Sequence, residues 1–165
     1  MTDIPDNAII IKGGNDMYQE IDENTTMSIT LIQNGVPQQH NLQDELAFSE
    51  QTFNFDLANQ SASYAFWSQV LVSAKSKLEE ARLNGQVLHA QIANEARTEL
   101  SKPSVATVED YVLAKTEYKQ NLQQQLDWQT QVDKLNYIVK SFDQRSNMLS
   151  QFGANLRKNL DNIAR

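Results

Sequence analysis

WQTQVDKLNYIVKSFDQRSNMLSQFGANLRKNLDNI, running from Trp128 to Ile163, carries a long apolar repeat at helical spacing. Its apolar residues fall at Trp128, Val132, Leu135, Val139, Phe142, Leu149, Leu156, Leu160 and Ile163. The steps alternate four and three, with Ser146 and Gly153 in the two vacant places. Such a seam predicts a helix buried along one narrow stripe for about five heptads. A second stripe passes through Ile138, Arg145 and Phe152, flanked by Tyr137 and Met148. Two stripes imply two partners, one within the chain and one in another copy of it. The expected oligomer interface is therefore Ile138, Arg145, Met148, Phe152 and Leu156. Arg145 interrupts an apolar stripe, which predicts a buried or interfacial ion pair, with a direct phosphate contact as the alternative. A glycine inside a helix costs about 1 kcal/mol against alanine. Gly153 on the seam therefore points to a close backbone approach, with helix fraying as the alternative.

Working towards the N-terminus, Ser101-Lys102-Pro103-Ser104 is the clear break in the helical part. Pro103 cannot continue a helix and biases Lys102 to an extended backbone. Thr107 reads as an N-cap, with Glu109 and Asp110 suited to the first turn. Before the break, Leu57, Tyr64, Leu71, Leu78, Gly85 and Ile92 repeat every seven residues, and Trp67, Ala74, Ala81 and Leu88 sit three places on from four of them. This predicts one helix over about 56–100, a break at 101–106, and a second helix over about 107–162. The short connection makes them an antiparallel, coiled-coil-like hairpin. Leu78 then faces Trp128, Leu71 faces Leu135 and Tyr64 faces Phe142. The second helix overhangs the first at its C-terminal end, where Leu149 to Ile163 needs a cover.

Residues 1–52 read differently, as an acidic, β-prone N-terminal arm. Ala8 to Ile11 is a short strand-like run stopped by Gly13-Gly14-Asn15-Asp16, and Met27, Ile29 and Leu31 alternate with more polar neighbours. Asn34-Gly35 signals a turn, and Pro37 argues against a central strand. The fold class expected is mainly α: a long helical hairpin over 53–165 with a small β-prone arm, assembling as an oligomer.

The net charge is −7 and there is no cysteine, which excludes disulfides and thiolate metal sites. His40 and His89 are too few and too far apart to suggest a metal centre. No apolar run approaches the roughly 20 residues of a membrane span, and Met1 to Asn7 lacks the layout of a signal peptide. The expectation is a soluble, cytoplasmic chain. Residues 1–60 carry ten acidic side chains against Lys12 alone, whereas 61–165 carry thirteen basic and eleven acidic. Such asymmetry suggests a basic working part beside an acidic arm.

No phosphate-binding glycine loop, H-E-x-x-H, G-x-S-x-G or calcium-loop pattern occurs, so neither catalysis nor a cofactor is expected. Arg97 and Lys102 lie at the hairpin tip and Lys115 and Lys119 follow just after it. These four could form a basic patch that contacts a single nucleic-acid strand through phosphates, with Tyr111 and Tyr118 near enough to stack. An ordinary solvated surface and ordinary core tyrosines are the simpler readings.

The hairpin opens with Ser63-Tyr64-Ala65-Phe66-Trp67 and ends in Phe142-Asp143-Gln144-Arg145, Met148-Leu149, Phe152-Gly153-Ala154 and Leu156-Arg157. Over roughly Leu57 to Lys158 this resembles the UvsY-like recombination mediators of bacteriophages, most specifically from Val139 to Lys158. The resemblance implies a small, ring-like homo-oligomer in the host cytoplasm that binds single-stranded DNA. It also implies partners: a RecA-type recombinase, and the single-strand-binding protein whose coated DNA the recombinase must enter. Basic residues late in the first helix matter in that family; here that region holds Arg97, with Lys102 just beyond. The rival expectation is a phage structural or assembly protein built on the same seams, with no nucleic-acid role.

Overall fold

The computed structural model describes residues 9–10, 28–33 and 36–163. The elements are β1 (Ile9–Ile10), β2 (Ser28–Gln33), β3 (Val36–Asn41), α1 (Leu42–Leu46), α2 (Phe53–Glu99), α3 (Val105–Ala114) and α4 (Thr116–Ile163). The chain is thus mainly helical, and its two long helices pack together. The described residues divide into two compact units, one holding those up to Trp67 together with 137–163, the other Ser68–Asn136. The turns expected at Gly13-Gly14-Asn15-Asp16 and Asn34-Gly35 lie outside the described residues.

In the first unit the strands form one antiparallel sheet in the order β1-β2-β3. Ile29 and Leu31 of β2 are buried, as alternation requires of a strand with one covered face. Pro37 sits in the edge strand β3, opposite Ile32, where a missing N–H is tolerated. The strand runs straight into α1, whose N-cap Asn41 accepts from the Gln43 N–H. This five-residue helix inside the β-prone arm was not expected from the sequence. Ser49 and Thr52 then exchange hydrogen bonds at the entry to α2.

The first unit's core centres on Trp67 and Phe142, stacked with ring centroids 6.2 Å apart. Beside them α2 departs from the expected seam. Leu57 and Tyr64 are 48% and 40% exposed, and the buried place between them goes to Gln60. At the far end of α4, Phe152 packs against Phe48 and Phe53, at centroid distances of 5.8 and 5.4 Å. Phe53 also lies over Gly153, where a Cβ would stand 2.9 Å from the ring. Gly153 therefore marks a close approach rather than fraying. Leu160 and Ile163, beyond it on the seam, are exposed.

In the second unit Leu71, Ala74, Leu78 and Ala81 of α2 are buried, as are Val132 and Leu135 of α4. Ile92, Ala93 and Ala96 close against Val108 and Val112 of α3, with Tyr111 and Tyr118 leaning on the cluster. Three local features correct the sequence reading. The N-cap of α3 is Ser104, whose hydroxyl accepts from the Thr107 N–H, so the helix starts earlier than a Thr107 cap would allow. The second helix is not continuous from 107: Lys115 adopts an extended backbone between α3 and α4. Its N–H bonds the carbonyl of Val112, three residues back, and ends the α-helical ladder. Lys102 has φ of 52°, in the left-handed region, where an extended conformation was expected before Pro103. The chain reverses there after α2, and left-handed residues serve that purpose at helix ends.

Candidate nucleic-acid interface

The four cations singled out at the tip all belong to the second unit, and the structure treats them unequally. Arg97, in the last turn of α2, is exposed and donates to the side-chain carbonyl of Asn94 at 2.9 Å. Its charge also complements the helix C-terminus. Lys102 is exposed in the turn and Lys119 is exposed in the first turn of α4. Among the described residues no carboxylate lies within salt-bridge distance of these three.

Lys115 is different. Its ammonium donates to Glu95 at 2.8 Å and sits 4.6 Å from the centroid of the Tyr111 ring. The Tyr111 hydroxyl in turn donates to Glu99 at 2.6 Å. The hydrogen bond from Lys115 lowers the Glu95 carboxyl below its usual range. The bond from Glu95, with Tyr111 behind it, raises Lys115 above its ordinary value. Acceptance by Glu99 raises the Tyr111 phenol. Lys115 thus ties the α3–α4 junction to α2, and the free positive charge of the tip rests on Arg97, Lys102 and Lys119. Glu95, Glu99 and Glu109 interleave with them on the exposed surface, so any field the tip projects is local.

A cleft in the same unit was not anticipated from the sequence. It has a volume of about 420 Å3 and is lined by Arg82, Gly85, Gln86, His89, Tyr118 and Gln125 among others. A Cβ on Gly85 would collide with the side-chain amides of Asn121 and Gln125, so these amides pack directly on the backbone there. Gly85 was legible only as a small residue on the seam.

The five residues expected at an oligomer interface lie in the first unit, and three are already engaged within the chain. Arg145 donates to the carbonyls of Leu46 and Ala47, to Gln60 and to Asp56. The ion pair with Asp56 is 2.6 Å long with 6% and 12% of the two side chains exposed. It is the buried form of the ion pair expected for Arg145. Gln60 passes the contact on by donating to the Phe142 carbonyl at 2.6 Å. Ile138 is buried and Phe152 is held between Phe48 and Phe53. Leu156 is half-buried and Met148 is 55% exposed. The partner of much of the second stripe is therefore the segment around α1, on which Arg145 satisfies carbonyls left free at the helix end.

Among the described residues no cluster of side chains could hold a metal ion, and no helix is long and apolar enough to cross a membrane. No family model, curated protein or solved structure matches the chain.

Proposed function

We propose that this protein binds single-stranded DNA and acts as a recombination mediator, helping a RecA-type recombinase onto DNA coated by single-strand-binding protein. The observation that carries the reading is the trio Arg97, Lys102 and Lys119, exposed and without carboxylate partners among the described residues. Unpaired cations can exchange counterions for phosphates, and repeated weak contacts of this kind need no sequence motif. The resemblance over Leu57 to Lys158 supplies the recombinase partner. Its most specific stretch, Val139 to Lys158, contains Phe142 and Arg145, which form the α4 side of the buried knot. That stretch is read as a structural signature, with the DNA contacts elsewhere.

Self-association belongs to the same proposal. With Ile138, Arg145 and Phe152 engaged inside the chain, Met148 and Leu156 remain open to a second copy, alongside the exposed Tyr137 and Leu160. Light scattering at micromolar concentration, with and without an oligothymidine strand, tests the assembly. Replacing Arg97, Lys102 and Lys119 together with alanine tests the function: binding to single strands should weaken for every base sequence alike, because phosphate contacts carry no base readout. Wild-type affinity in that variant would remove the tip as the contact site. No binding by the wild type at low salt would instead point to the second reading, a phage structural or assembly protein with no nucleic-acid role. The observation favouring that second reading is the diversion of Lys115 to Glu95.

A further inference from the structure

The cleft over Gly85 has a chemistry of its own. Arg82, at its edge, is held by Glu79 at 2.6 Å and by the Gln129 amide at 3.0 Å. His89 meets Glu109 at 3.0 Å and lies edge-on to Tyr118, with centroids 5.7 Å apart and ring planes at 67°. Both potential cations thus have a carboxylate beside them, which makes the cleft a poor trap for a bare anion. It offers instead two aromatic rings as walls and the side-chain amides of Gln86 and Gln125. Gln125 donates to Asn121 at 2.6 Å, and this bond leaves its own carbonyl oxygen available. Amides present both a donor and an acceptor, so they match the hydrogen-bonding edge of any base. Flat π-faces beside amide edges are what a splayed-out base meets on single-strand platforms.

We infer that this cleft receives an unstacked nucleobase of the bound single strand, stacked on Tyr118 with the His89 ring at its margin and Gln86 and Gln125 at its edge. The inference rests on the single-strand reading above and adds a base contact to the phosphate contacts of the tip. Tyr118 is next to Lys119, and His89 lies on the same helix as Arg97, about two turns away. A strand running over the tip would therefore reach the cleft within a few nucleotides. The cleft should not discriminate strongly among bases, because stacking and amide edges suit all of them.

The test compares wild-type protein on an oligothymidine strand and on its fully abasic counterpart of equal length and charge. The abasic strand should bind about tenfold more weakly, the loss expected for one stacked base. Tyr118→Leu should weaken oligothymidine by a similar factor and leave the abasic strand unchanged. Since Tyr118 also leans on the core, the wild-type comparison decides if the variant misfolds. Equal binding of both strands overturns the cleft inference and leaves the proposed function standing. Binding of neither strand at low salt overturns both. Displacement of oligothymidine by micromolar thymidine monophosphate would make the cleft a mononucleotide site and overturn its role in holding a strand.

Discussion

The guanidinium of Arg145 meets the carboxylate of Asp56 at 2.6 Å, across 89 positions of sequence. The same guanidinium donates to the carbonyls of Leu46 and Ala47. One side chain thus joins α4, the first turn of α2 and the end of α1 within the first unit. Removing one partner of a buried pair leaves the other charge desolvated and unmatched, which costs about 3–5 kcal/mol. Arg145→Ala should lose about that much in urea unfolding. A loss under about 1 kcal/mol would mean that the pair is solvated.

Gly153 has a ring over it. Alanine would gain about 1 kcal/mol of helix propensity, but its Cβ would stand 2.9 Å from Phe53, whose ring is itself packed on Phe152. Overpacking of this kind costs about 1–3 kcal/mol. Gly153→Ala should therefore destabilise the wild type and stabilise a Phe53→Ala background. Stabilisation in both backgrounds would contradict the close packing.

Lys102, at φ of 52°, carries a side chain in a region that disfavours one. The left-handed conformation costs an ordinary L-residue about 1–2 kcal/mol, and glycine escapes it. After the extra chain entropy of glycine, Lys102→Gly should stabilise the fold by up to about 1 kcal/mol, while Lys102→Ala should not. A lower melting temperature for Lys102→Gly would show that the turn does not need this backbone.

The bond between Lys115 and Glu95 has a definite pH window. Glu95 is lowered in the folded state, so its contribution is complete above its unfolded value of 4.5 and disappears as pH falls through the lowered one. Lys115 is raised, so its contribution is complete below 10.5 and disappears as pH rises through the raised value. The melting temperature of Glu95→Gln should lie below that of the wild type between these limits, and the gap should close at strongly acid pH. A gap that persists unchanged there would remove the ion pair from the account.

The repeat of apolar residues made the two long helices legible, and Pro103 made the main break legible. The β2 alternation at Ile29 and Leu31 was equally plain. The first turns of α2 misled because the seam there is polar: Asp56 and Gln60 are covered only because Arg145 meets them from α4. No periodicity in apolar residues can show that, and the seven-residue repeat runs through Leu57 and Tyr64 instead. The break at Lys115 has no glycine or proline to announce it. What accompanies it is a long-range contact, the hydrogen bond from Lys115 to Glu95 of α2. Of the tip, the sequence displayed four cations in proximity but not which of them the fold would engage. The cleft depends on Gly85, Tyr118 and Gln125, whose convergence exists only once α2 and α4 are packed.

We propose that the exposed cations of the tip hold the phosphates of a single strand. The most direct measurement is the affinity of the wild type for oligothymidine as a function of salt. Each phosphate neutralised contributes about −0.7 to the slope of log K against log salt. Contacts from Arg97, Lys102 and Lys119 predict a slope of about −2 per engaged subunit, flattened towards zero when all three are alanine. Absence of binding at about 50 mM salt, or a slope unchanged by the triple replacement, would contradict it.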